Sequence, residues 1–460
     1  MQKFNVGLFN DSFPPTIDGV ANATVNYARV IQNGLGNATV VTPYYPEVTD
    51  DYPFEVVRYP SAFINGMYDY RVGNPFSVKT VNELCDKNLQ ILHSHCPIIS
   101  TVLTRVVRKR THAPIIYTHH AKFDIEIEKL TASDALRRVS LKLLISNISA
   151  CDEIWVVSEG AGENLRSMGY KGDYIVMRNG TDFNLRRSSE AQLDELRKKH
   201  GIEKDTPVFL FVGRMMWYKG TRLSLDGLKI AKESGEKFKY VLIGDGTEKK
   251  DIENYAKKLG LEDDCLFTGA IRDREVLRTY FCLADLFLFP SDFDTNGIVV
   301  SEAAACSCPS LLLEGSCAAE GVVDGRTGLI IGRTAAEMAG KIKIACHNRE
   351  AMRKIGENAS REIYLSWDDS IHMAYERYNV VYEKYKYDDK KAKSMTPLID
   401  TPINQLIQNY NSGREYLGGM VNGAQDWMSD LADEARAEMR KKYDETKEKV
   451  GEKLEHTDKK

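Results

Sequence analysis

Two cations and two acids have the types and spacing to do chemistry. Arg214 and Lys219 flank Met215-Met216-Trp217-Tyr218, between Gly213 and Gly220, just past the apolar run Val208-Phe209-Leu210-Phe211-Val212. An Arg and a Lys held over a strand end suit a diphosphate, because they neutralise charge that grows as a phosphate leaving group departs. Asp294 and Glu302 lie eight positions apart in Pro290-Ser291-Asp292-Phe293-Asp294-Thr295-Asn296-Gly297-Ile298-Val299-Val300-Ser301-Glu302-Ala303. There a strand should end at Pro290 and a helix open at Gly297, whose free amides could bind phosphate or sugar hydroxyls. Glu302, inside that helix, could grip a ribose diol. Spacing alone equally allows a solvated cation pair and two solvated acids.

A third cluster is Tyr117-Thr118-His119-His120-Ala121. A histidine at the mouth of a parallel sheet can hydrogen-bond a sugar or position an acceptor. Adjacent histidines have no known metal-ligand spacing, and His93 and His95, at the neighbouring strand end, read as polar loop residues or further site members. A fourth is Ser12-Phe13-Pro14-Pro15-Thr16-Ile17-Asp18-Gly19, where the Gly19 amide at a helix start could approach a phosphate. Gly244-Asp245-Gly246 is a lone G-x-G without the third glycine or the acid spacing of a dinucleotide fingerprint, which argues against a dehydrogenase.

These clusters follow short apolar runs that alternate with helical patterns, and open parallel sheets bind ligands at the carboxyl ends of their strands. Strands are expected at residues 4–9, 38–42, 55–59, 91–95, 114–118 and 153–157, with helices at 20–35, 98–110 and 130–149. The alternation breaks after Asn179-Gly180-Thr181-Asp182 and restarts, with strands expected at 208–212, 240–243, 266–269, 286–290, 311–313 and 328–331. Helices follow near 335–347, 350–364 and 367–385. Such alternation implies parallel sheets covered on both faces. The expected organisation is a first Rossmann-like domain over 1–185, a second over 186–365, a closing helix over 366–387 and a polar, partly helical tail over 388–460.

The chain's 460 residues exceed what one core usually supports, at about 300 residues. Hydrophobic residues at 43% and charged residues at 28% are ordinary for a globular chain and exclude collagen-like or wholly disordered classes. A net charge of −4 gives no argument for nucleic acid. The nine cysteines include no Cys-x-x-Cys, so reduced core thiols are expected rather than zinc ligands or a disulfide framework. No signal-peptide pattern opens the chain and no run of 18 apolar residues occurs, so a cytoplasmic, at most peripheral, location is expected.

In their order and spacing these pieces resemble the retaining glycosyltransferases of family 4, over roughly residues 3–385. The resemblance rests on Pro-Pro-x-x-Asp-Gly-Val at 14–20, Val-Ser-Glu at 157–159, Arg-Asn-Gly-Thr-Asp at 178–182 and Val-Gly-Arg…Lys-Gly at 212–220. It continues through Ile-Gly-Asp-Gly at 243–246, Phe-Thr-Gly at 267–269 and Pro-Ser-x-x-Asp-Thr-x-Gly…Ser-Glu-Ala at 290–303. It implies the α/β GT-B architecture, two Rossmann-like domains facing a cleft, with a UDP- or GDP-hexose on the second domain and the acceptor on the first. Arg214 and Lys219 match the cations that bind the pyrophosphate, Asp294 the acid that contacts the transferred sugar, and Glu302 the acid that holds the ribose. His120 matches the histidine beside the reacting carbons, and Gly19 the glycine near the phosphates. Gly244, Gly269, Thr295, Asn296, Gly297 and Ile298 fall at donor-binding positions. No metal or other cofactor is implied, and no protein general base is assigned. This chain departs from the pattern at Asp294, where Glu is usual, and at Asp18-Gly19, where two glycines are usual.

Relatives that glycosylate membrane lipids share the opening loop and the His motif, so a lipid such as diacylglycerol is the expected acceptor. Residues 136–145 mix apolar and cationic side chains, and Arg105, Arg108, Lys109 and Arg110 add basic charge. Such surfaces bind anionic leaflets, although the same pattern suits an ordinary half-buried helix. Rival readings are a transferase for a capsular or storage glycan and a catalytically weak scaffold working through the tail. From Asp388 onward the tail carries 13 Lys and Arg against 15 Asp and Glu, too little net charge for a polybasic anchor. Its narrow stripe of Met428, Leu431, Ala435, Met439, Tyr443, Val450 and Leu454 suits self-association or docking on the enzyme, and truncation after Lys386 is expected to leave the fold intact.

Overall fold

Short runs rich in β-branched and aromatic residues, bounded by turns, form the strands of the first unit: β1 (Asn5–Phe9), β2 (Asn37–Pro43), β3 (Glu55–Tyr59), β4 (Ser61–Phe63), β5 (Arg71–Gly73), β6 (Ile91–Ser94), β7 (Ile115–His119), β8 (Glu153–Val156) and β9 (Ile175–Val176). The computed structural model describes residues 2–16, 18–63, 71–121, 123, 127, 134–387 and 400, without the side chains of Ala135 and Leu136. Among the described residues the strands of the main first sheet are parallel, in the order β3-β2-β1-β6-β7-β8-β9. Leu8 of β1 lies opposite Val40 of β2 on one side and His93 of β6 on the other. Helices α1 (Gly19–Val30), α2 (Val78–Asp86), α3 (Ile99–Thr111), α4 (Asp134–Ser149) and α5 (Glu159–Ser167) make the connections.

The second sheet takes β10 (Val208–Val212), β11 (Lys239–Ile243), β12 (Cys265–Gly269), β13 (Leu286–Phe289), β14 (Ser310–Leu313) and β15 (Leu329–Ile331). Its strands are also parallel, in the order β12-β11-β10-β13-β14-β15. Its helices are α6 (Glu190–His200), α7 (Thr221–Glu233), α8 (Lys249–Lys258), α9 (Arg274–Leu283), α10 (Ile298–Ala305), α11 (Ala335–His347) and α12 (Arg349–Glu362), before the closing helix α13 (Trp367–Lys384). Phe209, Leu210, Phe211 and Leu286 to Phe289 are all buried, the near-continuous apolar run required of strands covered on both faces.

Both sheets reverse their strand order at one point, between β1 and β6 in the first and between β10 and β13 in the second. At such a switch point the connecting segments diverge to opposite faces and leave a crevice beyond the carboxyl ends of the strands. Gly19 follows β1, and His95 and His120 follow β6 and β7; Arg214 and Lys219 follow β10, and Asp294 follows β13. Sheet order therefore puts Gly19 and His95 at the first unit's switch point, with His120 one strand away, and Arg214, Lys219 and Asp294 at the second unit's switch point.

Several expectations need correction. The chain divides into one unit of 1–156, 161–176 and the residues from Met373, and a second of 157–160 and 177–372. Residues 177–185 pack with the second unit. Phe183 packs in the second hydrophobic core, and Arg278 donates to the Asn184 and Arg186 carbonyls there. The closing helix, expected as a separate element, is shared, its last part carrying Tyr375 and Tyr378 into the first core. The helix expected over 20–35 ends at Val30 and continues as a wider π turn over Ile31–Leu35. The β4–β5 hairpin was not expected.

The supposed basic surface on α3 is largely interior. Arg105 and Arg108 are 2% and 1% exposed; Arg108 donates to the Ala150 carbonyl at 2.9 Å and to Asp152, and Arg105 to Asn147 at 3.0 Å. On α4, Arg138 and Lys142 are exposed while Val139, Leu143, Leu144 and Ile145 are buried, so its apolar face is core. The tail stripe lies outside the described residues. Asp400, which is described, forms an ion pair with Arg105.

Candidate active site

At the second switch point the chain turns sharply after β10. The Gly213 and Met215 amides donate to the Ile243 and Asp245 carbonyls at 3.0 and 2.9 Å, tying this loop to the end of β11. Arg214, between them, is exposed and makes no ion pair among the described residues. A short 3₁₀ turn, Trp217–Lys219, ends at Gly220, whose φ of 81° is left-handed. A side chain at Gly220 would place its Cβ 2.1 Å from the Pro290 carbonyl, so the loop after β10 and the end of β13 meet closely enough to require glycine. That approach sets Lys219 beside the loop after β13. Its Nζ donates to Oδ1 and Oδ2 of Asp294, each at 2.8 Å, with the two side chains only 13% and 20% exposed.

Gly297 opens α10 with a φ of 60°, and a Cβ there would lie 2.9 Å from Ala318. Beside this helix start is a recess lined by Arg178, Asn179, Asn296, Gly297, Ile298 and Ser301. Ser158 fixes the approach to it by donating to the Thr295 carbonyl at 2.5 Å. Gly244 and Gly269 lie at the neighbouring strand ends, where the Gly244 amide donates to the Gly269 carbonyl at 3.0 Å. Glu302, one turn into α10, is 9% exposed, and Arg274 Nη2 donates to its Oε1 at 2.7 Å. Burial raises the Glu302 carboxyl above the ordinary range, against the pull of Arg274. The second unit thus gathers Arg214, Lys219, Asp294 and Glu302 along one sheet edge, and adds Arg274, which no spacing pattern singled out.

The first unit presents a histidine cluster. His95 Nδ1 and His120 Nε2 are 3.0 Å apart and share one hydrogen bond. His93 bonds Tyr378 at 2.6 Å and Thr118 at 2.7 Å. His95 Nε2 is buried without a partner among the described residues. Either ring can be the donor, and in both cases one neutral imidazole holds the other through this bond. Burial holds His93 and His95 well below the usual histidine range; burial and neighbouring His119 bring His120 down to about 3. His120 is therefore a neutral hydrogen-bonding group near pH 7.

Gly19 stands at the start of α1 with open space where a side chain would be. The adjoining amides are already engaged, because Asp18 Oδ1 accepts from Val20 and Ala21 at 2.9 and 2.7 Å. The helix start expected to receive a phosphate thus carries its own carboxylate cap. Sequence reading also passed over Asp11. It accepts from the Ser100 amide and hydroxyl at 2.9 and 2.6 Å, and burial raises its carboxyl against those bonds.

Two family models match the chain. Residues 17–185 match the model described as Glycosyltransferase Family 4, and residues 192–362 match the one described as Glycosyl transferases group 1. The chain belongs to the family 4 glycosyltransferases. The alpha-monoglucosyldiacylglycerol synthase of Streptococcus pneumoniae is 23% identical to this glycosyltransferase over 66% of the chain and 70% of its own length. The enzyme of the same name from Acholeplasma laidlawii is 22% identical over 80% of the chain and 96% of its own length. Anabaena Alr3699/HepE, solved in complex with UDP, superposes with a TM-score of 0.65 at 17% identity, covering 82% of this chain and all of that one. That likeness shows the GT-B fold.

In this glycosyltransferase the second unit carries an exposed cation, Arg214, an ion pair of Lys219 with Asp294, and the carboxylate of Glu302 held by Arg274. The first can supply a neutral imidazole held by its neighbour. Among the described residues no cluster of three or more His, Cys, Asp or Glu has metal-holding geometry.

Proposed function

We propose that this glycosyltransferase moves a hexose, with retention of configuration, from a UDP- or GDP-hexose to a membrane lipid such as diacylglycerol. The observation that carries the reading is the alignment of Lys219, Asp294 and Glu302 along the switch-point edge of the second sheet, where a nucleotide sugar would find a cation for its diphosphate and carboxylates for sugar and ribose. In the reaction the bond from the sugar's anomeric carbon to the phosphate oxygen breaks, and a bond to the acceptor oxygen forms on the same face. The acceptor's proton passes to the departing phosphate, so no side chain is needed as general base. Arg214 and Lys219 take up the growing phosphate charge, the electrostatic work a metal ion does in other transferases. Asp294 contacts the transferred sugar, Glu302 holds the ribose, and His120, neutral at working pH, hydrogen-bonds near the reacting carbons.

The lipid acceptor is supported by the monoglucosyldiacylglycerol synthases among the relatives. An enzyme of that kind would work peripherally at the cytoplasmic face, and no described helix is long and apolar enough to cross a membrane. Against a strongly basic docking face stands the burial of Arg105 and Arg108, and this favours a glycan acceptor as the second reading. Nucleotide release from a panel of UDP- and GDP-hexoses, with and without diacylglycerol-containing anionic liposomes, tests the proposal. Lipid-dependent release is expected; release indifferent to lipid moves the acceptor to a glycan, and none with any donor overturns the activity.

A further inference from the structure

Glu302 does not stand alone on its helix. Arg274, the first residue of α9, reaches its Oε1 at 2.7 Å through Nη2, and the same nitrogen contacts Asp182. The Arg274 guanidinium lies 4.1 Å from the centroid of the Phe183 ring, which fixes its plane. Glu302 Oε2 accepts no hydrogen bond from the described residues. One oxygen of the carboxylate is therefore committed within the protein and the other is left for a ligand. Without Arg274 the carboxylate, 12% exposed, would be a buried charge with no partner.

We propose that Arg274 is a positioning residue of the donor site, holding Oε1 of Glu302 so that the carboxylate is oriented to accept from the ribose of the nucleotide through Oε2. The inference rests on the ribose role proposed for Glu302. Asp182 and Phe183 belong to the same device: the first shares the guanidinium, and the second sets its plane. Arg274 acts through Glu302 and needs no contact of its own with the nucleotide.

The test is the affinity of UDP and of GDP, by calorimetry on the full chain, for wild type, Arg274→Met, Arg274→Lys, Glu302→Gln and the double variant Arg274→Met/Glu302→Gln. Arg274→Met should weaken whichever nucleotide binds by about tenfold, as expected for loss of a charge-assisted hydrogen bond. Arg274→Lys should restore part of that loss, and Arg274→Met should cost less than about twofold once Glu302 is Gln, since coupled residues are non-additive. An equal loss in both backgrounds, or none in either, overturns the positioning role even where Glu302→Gln weakens binding. Unchanged affinity in Glu302→Gln, or no binding of either nucleotide to wild type, overturns the ribose reading itself. Should Arg274→Met fail to fold, Arg274→Lys in the two backgrounds gives the same comparison.

Discussion

Lys219 Nζ donates to both carboxylate oxygens of Asp294 at 2.8 Å, so the proposed phosphate cation and the proposed sugar acid are each other's partners in this structure. The close approach of Gly220 to Pro290 brings them together. A donor diphosphate would compete with Asp294 for Lys219 and release the carboxylate towards sugar hydroxyls.

Lys219→Ala should therefore remove charge stabilisation at the departing phosphate and raise the barrier by about 2.7–4 kcal/mol, a loss of about 10²–10³ in turnover. Asp294→Asn should also lower turnover, whereas Asp294→Glu, which restores the usual longer acid, should stay active. Steady-state kinetics on the three variants decides this, and a change below about threefold for Lys219→Ala removes it from the site.

Gly220→Ala tests the backbone that places this pair. The left-handed φ of 81° and the 2.1 Å approach to the Pro290 carbonyl allow no side chain. Denaturation should show a loss of at least about 2 kcal/mol, with turnover falling as well. An Ala variant of wild-type stability would contradict the described turn.

Stability should depend on pH through the buried histidines. Their pKa values in the folded state lie below the ordinary 6.5, so below about pH 6.5 the unfolded chain binds more protons and folding weakens. The window runs from 6.5 down to about 3 for His120, with a slope of about 1.4 kcal/mol per pH unit per histidine. Urea denaturation between pH 7 and 5 should show a shallower dependence for His95→Asn than for wild type. Parallel curves would mean that His95 is not buried in the neutral form.

The tail bears on stability through Asp400, the residue of it that is described. Arg105, 2% exposed, pairs with Asp400, so a cut after Lys386 removes a counter-charge and should destabilise the first unit rather than leave it untouched. Asp400→Ala should cost about 3 kcal/mol, the low end for breaking a buried pair, because Arg105 keeps Asn147. A loss below about 0.5 kcal/mol in a melt of the full chain would contradict the pairing.

The parallel strands were legible because burial on both faces leaves apolar runs that a turn must end, as at Val208 to Val212 and Leu286 to Phe289. Arg214, Lys219, Asp294 and Glu302 were legible because each follows such a run at short range. What escaped depends on partners distant in sequence. Arg105 and Arg108 look like surface cations until Asn147, Asp152 and Asp400 are placed around them. Arg274 has no pattern of its own and takes its meaning from Asp182, Phe183 and Glu302. The β4–β5 hairpin has three-residue strands and an exposed Phe63, too short and too open for an alternation to register.

This chain is proposed to form a hexosylated lipid at the Lys219–Asp294–Glu302 edge. The most direct measurement incubates wild type and Lys219→Ala with the turned-over nucleotide hexose and diacylglycerol liposomes, then reads the lipid by mass spectrometry and its anomeric configuration by NMR. Wild type should add one hexose to diacylglycerol, with the donor's anomeric configuration kept, and Lys219→Ala should add little or none. An unmodified lipid with wild type, an inverted linkage, or equal product from both proteins would contradict that proposal.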